Sequence, residues 1–449
     1  MKAGAVVIGA GFAGLSAAVR LAQAGVRVVV AEESPRLGGR ATAFTDRETG
    51  ERVDNGQHVL FGCYRETYGF LGTIGASDSA PLQRALELTM IDDRGRAFAL
   101  RCPPLPPPWH LIAGVLRWRA LAVADRLGAA RMRRVIADAR RIGPEALAAR
   151  VPPEQTVEEW LRAHGQSERL CRWLWRPLAL AALNQSSRNA AAAPFVRVLA
   201  ELFGPRVEDS AVGLPRVPLD ELYAEPARRF IEARGGRVLT RSPARVSAAG
   251  SGGEITVMTG GECVEAASVI STVPWFAFDR IWDGARPREL DAIAASAAAM
   301  QSSPIVTVNF WFDGPVVPAA FIGLVDGPMH WVFDKSAIVG ERANHLSIVA
   351  SGADELTQLD NAAITGLARA QLAQALPRSR ERQLLRSVVV REHRATFSLA
   401  PGQPARPRTE TPLADFYLAG DWTDTGLPGT IEGAVKSGHA AADAVLRRR

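Results

Sequence analysis

Lysine is almost missing from this 449-residue chain: it stands only at Lys2, Lys335 and Lys436, and the rest of its 53 basic residues are arginine. A mechanism that needs a lysine Schiff base therefore has few candidates. Cysteine is also scarce, at Cys63, Cys102, Cys171 and Cys263, and no two have CxxC spacing. That excludes a zinc ribbon and argues for a reducing compartment. Seven histidines show no HxxxH spacing, so no metal site is expected. No GxSxG, no Cys/His pair and no internal repeat occurs. No charge-free apolar stretch of eighteen residues is present, which argues against a spanning helix. The apolar run after Met1 is broken by glycines and reads as a strand rather than a signal peptide, so a cytoplasmic location is expected. Basic runs interleaved with stacking aromatics are absent too, so no nucleic-acid partner is expected. The formal charge of +6 suits an anionic membrane surface better.

What is present begins with "AVVIGAGFAGLSAAVRLAQAGVRVVVAEE", which reads as strand, turn, helix, strand. The GxGxxG turn is Gly9, Ala10, Gly11, Phe12, Ala13 and Gly14. Gly9 permits the tight turn, Gly11 lets a pyrophosphate approach the backbone, and Gly14 lets the helix pack on the strand. The helix N-terminus offers free N–H groups and a positive dipole end to phosphate. Glu32, at the end of the second strand, can accept hydrogen bonds from an unphosphorylated ribose, leaving FAD or NAD. Next, "SPRLGGRA" places Gly38, Gly39 and Arg40 where the arginine can neutralise a diphosphate. This start resembles the FAD-binding segment of the amine oxidase and phytoene desaturase superfamily, and the resemblance implies FAD.

The far end of the chain carries the same resemblance. "DFYLAGDWTDTGLPGTIEGAVKSGHAAADAVL" reads as a strand, then Gly420-Asp421, a proline-glycine loop and a terminal helix from Thr430. Asp421 can bind ribityl hydroxyls, and N–H groups of Gly429, Thr430 and Ile431 can face the flavin pyrimidine as it gains charge. The superfamily's Glu-Gly-Ala-x-x-Ser-Gly helix is matched by Glu432 to Gly438. In between, the resemblance implies that backbone at Arg245-Val246 meets the adenine, and that a strand ending at Thr272-Val273-Pro274 leads out of the FAD domain.

The fold class expected is α/β: a Rossmann-like FAD-binding domain of glutathione-reductase type, with an inserted mixed substrate domain of antiparallel sheet plus helices. The FAD domain is expected from residues 1–75, 206–275 and 400–449, and the substrate domain from 76–205 and 276–399. "SPIVTVNFWFDGPV", "FIGLVDGPMHWVFDK" and "NHLSIVAS" read as antiparallel strands whose aromatics either form plain core or wall an apolar pocket over the flavin. "PPLPPPWHLIAGVLRWRALAVADRLGAARMRRVI" reads as a proline run leading into one amphipathic basic helix over residues 103–136. With Trp109 and Trp118 it either docks on a bilayer or packs on its own domain with a solvated basic face.

The stretch "DNGQHVLFGCYRET", together with "LWRPLALAALN", "ATFSLAPG" and "LAGDWTDTGLPGTIEGAVKSG", closely resembles the squalene-associated FAD-dependent family, the hydroxysqualene dehydroxylases of bacterial hopanoid synthesis. That resemblance runs along nearly the whole chain. It implies reductive removal of an allylic hydroxyl from hydroxysqualene, giving squalene, water and oxidised FAD. Gly56, Gln57 and His58 are expected beside the flavin, with His58 as the proton donor and Gln57 and Asn184 as supporting catalytic groups. His58 could instead only hydrogen-bond backbone or flavin. Tyr64, Arg65, Asn184 and Arg394 are weaker donors. The partners expected are a polyisoprenoid substrate, an unidentified electron donor and the inner face of the cytoplasmic membrane, touched peripherally. The rivals are a carotenoid-type desaturase or isomerase and a non-catalytic isoprenoid-binding carrier of the same fold.

Overall fold

The structure, a computed structural model, describes residues 2–248, 255–340 and 344–449. Its centre is a five-stranded parallel sheet in the order Arg237–Leu239, Val28–Ala31, Ala5–Ile8, Val269–Ser271 and Phe416–Leu418. Ala5–Ile8 and Val28–Ala31 are buried along their whole length, as their unbroken apolar runs require of strands covered on both faces. Strands far apart in sequence thus lie side by side.

The helix Phe12–Gln23 packs against the terminal helix Ile431–Arg448. Small residues set their separation: a Cβ on Gly438 would fall 2.2 Å from the Ala13 carbonyl oxygen. Arg20 and Asp443 pair across the same contact at 2.7 Å. The two ends of the chain are therefore built into one layer. A four-stranded sheet, Lys2–Ala3, Glu262–Ala266, Ile255–Thr259 and Arg245–Ala248, lies beside it.

A seven-stranded sheet forms the other half, in the order Leu384–Phe397, Ser302–Phe312, Asn344–Ser351, Trp331–Asp334, Phe321–Leu324, Glu87–Ile91 and Ala97–Arg101. All its pairings are antiparallel except Phe321–Leu324 with Glu87–Ile91. The register between Ser302–Phe312 and Leu384–Phe397 slips around Pro304, which has no N–H for the ladder. Among the described residues no helix is long and apolar enough to cross a membrane.

One expectation is corrected here. The single helix read over 103–136 is three: Trp109–Arg117, Val123–Ala129 and Arg133–Ile142. The break is at Trp118, which adopts extended backbone and buries its ring to 1% exposure. Its indole N–H donates to the Phe98 carbonyl at 3.3 Å and its ring meets Trp173 edge-on. Burying a large aromatic with its polar tip satisfied outweighs one more helical turn. Trp118 is thus core, and only Trp109, 62% exposed, remains at the surface.

Candidate active site

The expected site residues converge on one cavity of about 750 Å³ lying between the parallel sheet and the seven-stranded sheet. At its narrow, polar end the first turn has the geometry that its glycines predict. Gly9 has φ +102°, and a Cβ on Gly14 would sit 2.0 Å from the Gly9 carbonyl oxygen. Gly14 therefore serves packing and does not line the cavity. Ala10, Gly11, Phe12 and Ala13 do line it, while the Phe12 ring stacks at 3.5 Å on buried Tyr223. At Gly11 the added Cβ would meet only the Gly38 carbonyl oxygen at 3.9 Å, so the space over it is open for a ligand.

Glu32 is held by two backbone donors, the N–H of Ala10 at 2.7 Å and of Ser34 at 2.8 Å. Burial raises its pKa against those hydrogen bonds, and each oxygen keeps a lone pair for a ribose hydroxyl. The Gly38 N–H donates to the Ala10 carbonyl at 2.8 Å, so the second glycine turn, with Gly39, closes against the first. Arg40 then bridges the two ends of the chain. It donates to Asp421 at 2.5 Å and to the Ala395 carbonyl at 2.7 Å. Gly429, Thr430 and Ile431 border the same space. Thr430 caps the 18-residue terminal helix by accepting the Gly433 N–H at 3.1 Å. These donors and glycines fit a flavin dinucleotide: an acid for ribose, a helix end and an arginine for diphosphate, and a second helix end for the ring.

The strand expected to meet the adenine borders the cavity on one face. Pro243, Ala244 and Arg245 line the cavity, as does Pro274, whereas Val246 is 1% exposed and faces the core. Alternation along a strand sends neighbours to opposite faces.

Where the polar end meets the apolar end lies the Asp54–His58 run. Gly56 turns there with φ +93°, conformation favouring glycine. His58 Nδ1 stands 2.9 Å from the Gly56 carbonyl oxygen, which can only accept, so Nδ1 carries the proton and Nε2 is left for the cavity. Burial lowers the His58 pKa; Asp54 and the Gly56 hydrogen bond oppose this, while Lys335 and Arg40 add to it. Asn184 also reaches the cavity, in left-handed backbone at the end of the helix Arg176–Leu183. Both its amide hydrogens are engaged, by the Ser303 carbonyl at 3.0 Å and Thr396 Oγ1 at 3.1 Å, and its oxygen accepts the Gly352 N–H at 2.9 Å. Asn184 thus ties a helix end to two strands and has no spare proton to give. Tyr64 lines the wall, and burial keeps its phenol protonated. Arg65 turns away toward Asp209 at 3.6 Å, and Arg394 covers the Phe276 ring.

Beyond this point the cavity is apolar. Leu86, Leu88 and Leu100 come from one hairpin, Leu111 and Val115 from Trp109–Arg117, and Trp173, Leu174 and Phe203 from later helical segments. Phe321, Trp331 and Phe333 close it from the large sheet. Sequence reasoning missed two groups. Glu432, inside the recognised helix motif, accepts the Thr67 hydroxyl at 2.6 Å and the backbone N–H groups of Glu66 and Thr67. Lys335 is buried behind Gln57, and the only available signal was that a scarce residue stood at a strand end. Among the described residues no cluster of His, Cys, Asp and Glu could hold a metal.

Comparison with known proteins agrees with this geometry. The family described as "Flavin containing amine oxidoreductase" matches residues 12–446. A hydroxysqualene dehydroxylase of Rhodopseudomonas palustris is 30% identical, over 98% of this chain and 97% of that protein. A probable zeta-carotene desaturase of Synechococcus elongatus is 26% identical, over 98% of each chain. The solved structure of a triple mutant of putrescine oxidase superposes with a TM-score of 0.72 at 18% identity, covering 100% of this chain and 99% of that one. The chain belongs to the flavin containing amine oxidoreductase family and is an FAD-dependent oxidoreductase.

Proposed function

We propose that the protein removes the hydroxyl group of hydroxysqualene reductively, releasing squalene and water. The observation that carries this reading is the continuity of the cavity: its flavin-fitting end opens without a wall into a chamber of leucine, valine and aromatic side chains. Such a chamber suits a long hydrocarbon with one polar point. Segments 1–75, 206–275 and 400–449 would hold FAD, and 76–205 and 276–399 the substrate.

Bound FAD, once reduced by a donor, supplies the hydride that replaces the hydroxyl. The protein's task is to position the carbinol carbon, to deliver a proton to the departing oxygen and to keep water out. Phe321, Trp331, Phe333 and Ile305 exclude water from that point. His58 Nε2 is the proton carrier in this reading, with Gln57 beside it. Burial lowers the His58 pKa and so works against the imidazolium. An anionic ligand bound next to it would favour the charged ring and move its pKa back up.

Delivery of so insoluble a substrate is the role proposed for the surface around Trp109–Arg117. Leu105, Trp109, Leu116, Val123 and Leu127 are all exposed there, beside Arg117, Arg119, Arg126, Arg133 and Arg134. Leu111 and Val115 of the same helix line the chamber. An apolar face rimmed with arginines suits the anionic inner face of a cytoplasmic membrane.

The deciding experiment is anaerobic incubation of the photoreduced holoenzyme with hydroxysqualene, followed by product analysis. Stoichiometric squalene and reoxidised flavin are expected; an unchanged substrate would overturn the reading. The likeness to a carotene desaturase makes a second reading specific: oxidised holoenzyme that desaturates phytoene or zeta-carotene.

A further inference from the structure

Lys335 opens the short helix Lys335–Val339 directly after the strand Trp331–Asp334, and it is only 3% exposed. Its Nζ donates to Asp54 Oδ2 at 2.8 Å and to Gln57 Oε1 at 2.9 Å. Asp54 is buried too, and its other oxygen accepts the Leu219 N–H at 3.2 Å. A buried ammonium–carboxylate pair is tolerable only when further hydrogen bonds replace the lost water, and here Gln57 and Leu219 provide them.

The bond from Lys335 also decides which way the Gln57 amide faces. With Oε1 turned to the ammonium, the Gln57 NH2 points the other way and donates to the His58 carbonyl at 3.2 Å. His58 in turn gives its Nδ1 proton to the Gly56 carbonyl at 2.9 Å. One run of hydrogen bonds therefore leads from Leu219 through Asp54, Lys335 and Gln57 to the His58 backbone carbonyl, and a separate bond ties the His58 ring to Gly56. Gln57, His58 and Gly56 line the cavity, whereas Lys335 and Asp54 stand behind them.

We propose that Lys335 is a positioning residue: paired with Asp54, it fixes the Gln57 amide and, through it, the direction in which the His58 ring faces the flavin. This rests on the reading that Gly56, Gln57 and His58 border the flavin. The charged groups acting on His58 come from two places, and a further carboxylate, Glu392, borders the same cavity. Asp54 and Lys335 lie behind it, and Arg40 belongs to the second glycine turn. Asn55 brings in Glu392 from the large sheet at 3.2 Å. Removing Lys335 withdraws a positive charge, leaves Asp54 unmatched and frees the Gln57 amide to rotate. All three changes favour the protonated ring or loosen it.

The test uses oxidised FAD-loaded enzyme with ring-labelled histidine, followed by NMR and by visible absorption over about pH 5 to 9. In Lys335→Met, the His58 titration should move to higher pH and the flavin bands should shift. Lys335→Arg, which keeps a cation on Asp54, should restore the wild-type titration. A Lys335→Met enzyme with unchanged His58 titration and unchanged flavin bands would overturn the inference, whatever its melting temperature. Should that variant fail to fold, Lys335→Met combined with Asp54→Asn removes both charges, which act on the His58 titration with opposite signs, so the flavin bands alone decide: shifted bands support the inference and unchanged bands overturn it. Failure of the underlying reading looks different: wild-type flavin bands would then not respond to His58 titration at all, while the NMR shift would still report on Lys335.

Discussion

The two ends of the cavity are built on opposite principles. The flavin end is made largely of backbone: glycines that either pack against backbone or leave space for a ligand, helix ends with free N–H groups, and two carboxylates held in place. The chamber end is made of side chains only, contributed by segments that run from Leu86 to Val349. A backbone site tolerates almost no substitution, because each residue type is required by geometry. A side-chain wall tolerates exchange of one apolar residue for another, since only volume and shape matter. The comparison yields predictions that descend in size.

Gly14→Val should have the largest effect. Its Cβ would overlap the Gly9 carbonyl oxygen, backbone that cannot yield without opening the turn. The expected result is colourless, poorly folded protein. Gly11→Ala separates folding from binding, because the nearest protein atom to its Cβ is 3.9 Å away. That variant should melt as the wild-type apoprotein does but bind FAD more weakly by about 1–3 kcal/mol, roughly five- to 150-fold. Equal loss of melting temperature in both variants would show that the turn is not shaped around a ligand.

His58→Gln sits at the junction of the two ends and should lower kcat on the order of a hundredfold while flavin stays bound. Its pH dependence has a definite sign. Burial depresses the His58 pKa and a bound anionic ligand opposes this; in either case a step that needs the protonated ring is fastest in acid and declines as pH rises through the pKa of His58. The variant should lose that descending limb. A wild-type rate that climbs with pH would remove His58 from the role of proton donor.

The same contrast explains what could be read before any coordinates existed. The glycine turns, Glu32, Arg40, Asp421 and the terminal helix from Thr430 were legible as candidates because each stands in a contiguous strand–turn–helix motif, although Arg40 and Asp421 meet only in the fold. Which strand face looks inward was not legible at Arg245-Val246, since it depends on what packs against the strand. Asn184 was expected among the catalytic groups, but the three partners that occupy its amide lie more than a hundred residues away. Lys335 escaped notice for the same reason: its partners Asp54 and Gln57 are 281 and 278 residues away. The Trp118 break was hidden as well, because helical periodicity cannot show that a ring has a core to enter.

The surface beside the chamber should give a moderate effect. Replacing Trp109 and Leu127 by serine removes two of the exposed apolar groups without touching the core. Partitioning onto phosphatidylglycerol vesicles should weaken by about tenfold per residue, given roughly 1.5–3 kcal/mol for a fully buried large side chain. Activity on detergent-dispersed substrate should stay unchanged. Equal losses in detergent and on vesicles would assign the patch to some other task.

The smallest effect on the fold is expected at the chamber wall itself. Leu15 is wholly buried under the parallel sheet, and Leu15→Ala should cost about 2–5 kcal/mol because a void replaces packed atoms. Leu111 instead borders a cavity that already exists, and it is half-buried. Leu111→Ala enlarges that cavity without creating one, so its stability cost should stay below about 1 kcal/mol, the transfer part without the full void part. The loss should appear in binding: KM for the long-chain substrate rises while flavin affinity and flavin bands stay as they were. If Leu111→Ala destabilised the protein as much as Leu15→Ala, the chamber would be a packing core in the native state and no longer a place for a ligand.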